Sequence, residues 1–262
     1  MPSISIKVLP KDSTKYFQES IDMIYEKRIE KSNSLSSQLF NKNLKKPRSG
    51  FDHSSFSIMK YGIKATYIIE KEINIPTVDG IIKEYQKIEV PGIFIPKQGI
   101  ILISNSSESI IEKVSIAWAE LLFPEKLIVP TTLQIPKEKF SEIRSLSARI
   151  VIQISHTESK GLEEIKLRGY DITNKEWYKE EGFNSDSTER FDFIPSLPDD
   201  FGNRTTVCRM YRNGRFVIYY NSKFSESEFE DIQLFLIKKI AEVLGSPLCN
   251  YGATDIQEKL NI

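Results

Sequence analysis

The residues closest to reaction chemistry are Glu164-Ile165-Lys166. Side chains of an extended strand alternate between faces, so this spacing sets a carboxylate and an ammonium side by side. Such a pair suits a Mg²⁺-dependent nuclease, in which carboxylates hold the metal and a cation steadies the attacking water. A site of that kind needs another carboxylate from the preceding strand. Here that strand is followed only by Glu158, and Asp199-Asp200 come after the motif. The competing reading, a same-face ion pair on a solvated strand, is therefore preferred.

Other catalytic patterns do not occur. The chain has no Gly-x-Gly-x-x-Gly and no Gly-x-x-x-x-Gly-Lys-Ser/Thr, the loops that cradle phosphates, and no Gly-x-Ser-x-Gly nucleophile elbow. His53 and His156 are its two histidines and lie far apart, while Cys208 and Cys249 lack Cys-x-x-Cys spacing. The expectation is a chain without cofactor or metal, with both cysteines reduced and packed, leaning away from catalysis.

Binding chemistry is better represented. Lys42, Lys45, Lys46 and Arg48 cluster in a loop-like segment that could sit on phosphates, against the plainer reading of a solvated linker. Farther on, Arg209, Tyr211, Arg212 and Arg215 interleave with Tyr219 and Tyr220 across a hairpin. Strand alternation puts Arg209, Tyr211 and Arg215 on one guanidinium-aromatic surface able to stack bases or clamp phosphates. The alternative packs the tyrosines under a helix and leaves the arginines to neutralise nearby acids.

These groups sit in 262 residues carrying 36 basic and 36 acidic side chains, 40% hydrophobic and 27% charged, the composition of an ordinary folded domain. Balanced charge argues against generic nucleic-acid binding. Locally the chain has poles: residues 1–50 hold 10 basic and 5 acidic side chains, residues 151–200 hold 6 and 12. No apolar run reaches membrane-spanning length and no signal segment opens the chain, so a cytoplasmic protein without a membrane partner is expected.

Periodicity supplies the elements. Ile4, Ile6 and Val8 alternate as in a half-buried strand, and a helix capped by Asp12 or Ser13 follows. Residues 56–89, cut by Gly62, Pro76 and Gly80, read as three strands; Ile93 to Ser104 then reads as a hairpin turning at Pro96 to Gly99. A helix striped by Ile110, Ile111, Val114, Ala117, Trp118, Leu121 and Leu122 begins at a capping box, Asn105 with Glu108 or Ser109 with Glu112. Residues 127–135 read as a strand or crossing segment, and Lys137 to Ser147 as a short helix. Strands begin at Arg149 and Glu164, whereas 173–203 is polar, acidic and irregular. Asn213-Gly214 predicts a type I′ hairpin, and Ser225 with Glu228 caps a helix that stops at Gly245.

The fold class expected is α+β: two antiparallel-sheet-plus-helix units in tandem, helices on one sheet face. The segments are 1–50, an N-terminal strand, helix and basic connection; 51–135, a first sheet-hairpin-helix unit; and 136–262, a second with the acidic insertion. Gly99 and Gly214 lie at equivalent turns of this possible pseudo-repeat. At the level of fold, the arrangement resembles the tandem halves of TATA-box-binding-type saddles, which implies curved strands facing DNA. No sequence motif of that family occurs. The function expected is a binding or adaptor protein associated with DNA, RNA or another protein; the alternatives are the Mg²⁺ nuclease and a structural subunit gripping a basic partner through its acidic insertion.

Overall fold

A computed structural model describes residues 3–10, 49–59, 61–78, 80–124, 126–145, 147–156, 164–168, 188–197, 206–219, 224–245 and 247–252. The helix expected after Asp12 or Ser13 and the basic segment Lys42, Lys45, Lys46 and Arg48 lie outside these residues. The described residues form a mixed structure of antiparallel strands and helices. It divides into two compact units, 7–131 and 132–262 together with 1–6. The division falls within the first strand, β1 (Ser3–Val8), all six of whose residues are buried.

In the unit spanning 7–131, β2 (Ser49–Met59), β3 (Gly62–Thr77), β4 (Gly80–Ile95) and β5 (Ile100–Ser104) pair antiparallel in that order. Alternate residues Ile63, Ala65, Tyr67 and Ile69 of β3 share one apolar core with Val90 and Phe94 of β4 and with Ile101 and Ile103 of β5. Helix α1 (Glu108–Leu122) covers them with Ile111, Val114, Trp118, Ala119 and Leu122; of the stripe its spacing predicts, Ile110, Ala117 and Leu121 are only partly buried, while Ala119 joins the core from outside it. Neither expected capping box forms. Ser107 is the N-cap without a side-chain cap bond, and Asn105 Oδ1 instead accepts from the Ser107 amide at 2.8 Å.

The break expected between residue 89 and Ile93, at Pro91-Gly92, does not occur. β4 runs through it for 16 residues. A β-carbon on residue 92 would stand 2.6 Å from Trp118 Nε1, so glycine is needed here for close packing. The reversal comes later, at Pro96–Gln98, where Gly99 adopts φ 63°.

In the other unit the order is β1, β11 (Phe216–Tyr219), β10 (Val207–Tyr211), β9 (Thr188–Pro195), β7 (Ser147–His156) and β8 (Glu164–Arg168), every neighbouring pair antiparallel. Strand β9 corrects the irregular reading of 173–203. Phe191 and Phe193 are buried in it, alternating with Arg190 and Asp192, a period of two that the surrounding acidic residues conceal. A short strand β6 (Thr131–Thr132) and helix α2 (Lys137–Ser145) precede β7.

Helix α3 (Glu226–Leu244) has the capping box its sequence announces: the Ser225 amide donates to Glu228 Oε2 at 2.8 Å and the Glu228 amide to Ser225 Oγ at 3.3 Å. Gly245, at φ 80°, ends it. The Asn213-Gly214 hairpin also forms, but with a three-residue loop. Gly214 N donates to Tyr211 O at 3.0 Å, Tyr211 N donates to Arg215 O at 2.8 Å, and Gly214 takes the left-handed position at φ 74°. No helix among the described residues is long and apolar enough to cross a membrane.

Candidate functional site

Register places the candidate binding residues. In β10 and β11, Cys208, Met210, Phe216 and Ile218 are buried, and they stand in row with Phe191 and Phe193 of β9. Phe140 of α2 meets Phe191 on this side, ring centroids 5.0 Å apart. The alternate residues point the other way: Arg190, Arg209, Tyr211, Val217 and Tyr219 are half-buried, and Ser3 and Asp192 are buried. There, one row runs across four strands as Ser3, Val217, Arg209 and Asp192, and Tyr211 stands opposite Arg190 in the next.

Arg209, Tyr211 and Arg215 therefore share one face, joined by Tyr219, Arg190 and Asp192. Tyr211 and Tyr219 are half-buried there, and Tyr220 lies outside the described residues. The Arg190 guanidinium lies 5.8 Å from the centre of the Tyr211 ring and that of Arg215 lies 5.9 Å from it, so one aromatic ring serves two cations. The Arg209 guanidinium stands 5.3 Å from the Tyr219 ring centre. Arg215 Nε is held by Ser3 Oγ at 2.5 Å. Arg212 lies apart, in the loop, where its carbonyl accepts from the Ile135 amide at 3.2 Å.

Arg209 also realises part of the plainer reading. Its Nε donates to Asp192 Oδ1 at 2.7 Å and its Nη2 to Oδ2 at 2.8 Å, a bidentate pair with an acid from the predicted insertion. Asp192 is 4% exposed and Arg209 24%. That hydrogen bonding raises the guanidinium's proton affinity further, so Arg209 stays charged. Burial, and then the Asp192 charge, pushes the Tyr219 phenol above its ordinary value. With three arginines to one aspartate among these groups, the face keeps a cationic surplus.

Glu164 and Lys166 lie in β8, in register with His156 and Ile154 of β7; their side chains lie outside those described. The sequence of β7 contains no carboxylate to complete a metal set. Among the described residues no three of His, Cys, Asp or Glu converge as metal ligands. An open groove of about 380 Å³ between α2, the end of β9 and α3 is lined, among the described residues, by Ile143, Leu197, Phe235 and Ile240, with Lys239 the one charged side chain among them. Among its described residues no nucleophile pairs with a base.

Two buried groups are perturbed without forming a site. Lys7 of β1 is 6% exposed; burial lowers its pKa, partly offset by Glu112 and Glu108 of α1. Cys208 is fully buried, and burial pushes its thiol up to about 12 from an ordinary 9.0. Between these values the unfolded chain loses the thiol proton while the folded chain keeps it. The contribution to stability is whole below pH 9.0 and declines as pH rises toward 12, by about 1.4 kcal/mol per pH unit at most. Urea midpoints at increasing alkaline pH are expected to fall, and to fall less steeply in Cys208→Ala. An aromatic disulfide reagent is expected to leave Cys208 untouched until the protein unfolds.

Sequence reasoning missed Arg190 and Asp192. Their signal is the run Arg-Phe-Asp-Phe-Ile, alternating polar and apolar inside a segment judged by its charge. Compared with known proteins, the chain matches no family model and no curated protein.

Proposed function

We propose that this chain is a non-enzymatic binding protein of a nucleic-acid-processing assembly, and that the face bearing Arg190, Arg209, Tyr211, Arg215 and Tyr219 engages single-stranded DNA or RNA. The observation that carries the reading is Tyr211 with two guanidinium groups over its ring. Interleaved tyrosine and arginine are the groups that stack bases and neutralise phosphates at once. The proposal treats the two units as a repeat of architecture, each with a hairpin turning on a left-handed glycine, Gly99 or Gly214, before an amphipathic helix. It places the protein in the cytoplasm, a compartment in which the buried Cys208 thiol stays reduced.

The test is an anisotropy titration of labelled single- and double-stranded DNA and RNA at low and near-physiological salt with Mg²⁺, the probes then run on a denaturing gel. Binding is expected to weaken steeply with salt while the probes stay intact. Tyr211→Ala is expected to weaken it about 5- to 150-fold, the equivalent of one lost stacking contact. Arg212→Glu combined with Arg215→Glu is expected to flatten the salt dependence. No binding at low salt overturns the proposal. Cleavage lost in Glu164→Gln with binding retained would establish the nuclease alternative instead.

A further inference from the structure

The β3–β4 hairpin outruns the sheet that supports it. Among the described residues, β2 pairs with β3 only as far as Ile69, and β5 pairs with β4 only from Gly92 onward. Beyond Ile69 and Ile88 the two strands continue as a two-stranded ribbon, paired from Glu70 with Lys87 out to Thr77 with Gly80. Eight residues of strand extend about 27 Å. Nearly every residue of this arm is exposed, including Val78 at 104%, Ile81 at 71%, Ile82 at 51% and Tyr85 at 45%.

A two-stranded ribbon in water is marginal, and an edge with free amides and carbonyls is a template for another strand. The two edges differ. On β3, Pro76 removes a donor near the tip; β4 has no proline from Gly80 to Val90, and no described strand pairs with that edge.

Charge pattern selects the occupant. Two copies of β4 joined edge to edge around a two-fold axis perpendicular to the ribbon are antiparallel, and residues directly opposite share a face. An axis at Lys83, Glu84 or Lys87 sets that charge against its own copy, and an axis at Tyr85 sets Lys83 against Lys87. Like charges directly opposite destabilise a sheet. With the axis at Gln86 the conflict disappears: Lys83 faces Glu89 of the second copy, Tyr85 faces Lys87, and Ile82 faces Val90. Lys83 and Glu89 are open to such a partner, with side chains 69% and 60% exposed. Lys83 already reaches Glu72 at 2.7 Å and Glu89 reaches Lys87 at 2.7 Å, so pairing would join two short ion pairs into a network.

We propose that the β4 edge of the arm is a homodimerisation surface, in which Gly80–Val90 of two copies form a continuous antiparallel ladder centred on Gln86. The interface is narrow, so dimers are expected at roughly micromolar concentration. Sedimentation velocity should show the full-length chain passing from monomer to dimer between about 1 and 100 µM. Lys83→Glu opposes two carboxylates and Glu89→Lys opposes two ammonium groups, so each variant alone should dissociate at least tenfold more readily. An equimolar mixture should recover dimers, because every opposed pair is then complementary. Circular dichroism of each variant should match the parent, both positions being exposed. Gln86→Cys should yield a disulfide-linked dimer on mild oxidation, since the two copies of residue 86 are nearest neighbours across the axis. A parent that stays monomeric throughout, or single variants that dimerise as well as the parent, overturns the proposal.

Discussion

Replacing Arg209 with Ala is expected to lower the free energy of unfolding by about 3 kcal/mol, the low end of the cost of orphaning one partner of a buried pair. The carboxylate left behind, Asp192, is 4% exposed and loses both guanidinium bonds, at 2.7 and 2.8 Å. The reverse change, Asp192→Ala, should cost less. Arg209 is 24% exposed and can turn its head group toward water while its stem stays packed. Arg209→Met with Asp192→Leu should recover most of the loss, because two apolar side chains of similar size leave no charge uncompensated. Urea denaturation of the parent and the three variants checks these costs. A cost below about 1 kcal/mol for Arg209→Ala would put the pair among ordinary surface ion pairs.

The second large effect lies in the other unit. Trp118→Ala is expected to cost about 3–5 kcal/mol, since a fully buried indole would leave a cavity no neighbour can fill. Phe51 stands edge-on to the indole at 5.0 Å and edge-on to Tyr67 at 5.1 Å, so the loss reaches β2 and β3. Trp118→Phe should cost less. The indole Nε1 is buried and has no hydrogen-bond partner among the described residues, and phenylalanine removes that unmet donor with only part of the volume. Gly92→Ala tests the same contact from the strand side. Its β-carbon would meet Nε1 at 2.6 Å, and the overpacking is expected to cost about 1–3 kcal/mol. Thermal unfolding followed by circular dichroism checks both positions. A Gly92→Ala protein as stable as the parent would mean that Trp118 can shift within its pocket.

Both sites show where local reading succeeds and fails. The helix stripe ending in Trp118 and Leu122 follows from spacing, because a helix must bury one face. The Ser225–Glu228 box follows from two residue types three apart, a contact closed within one turn. Strand β9 does not announce itself, because acidic flanks mask the alternation of Phe191 and Phe193 with Arg190 and Asp192. Nor does the continuity of β4 through Pro91-Gly92, which depends on a tryptophan 26 residues later.

By itself the sequence determined what short-range physics controls: strand and helix periods, the αL glycines at 99 and 214, the α3 cap, and the alternation that sorts Arg209 and Tyr211 from Cys208 and Met210. Tertiary structure decided what depends on register between distant segments. It set Asp192 against Arg209 and Arg190 against Tyr211, and among the described residues it left the outer half of the β3–β4 ribbon without a neighbouring strand. Alternation names the face a side chain occupies; only strand pairing names the residue beside it.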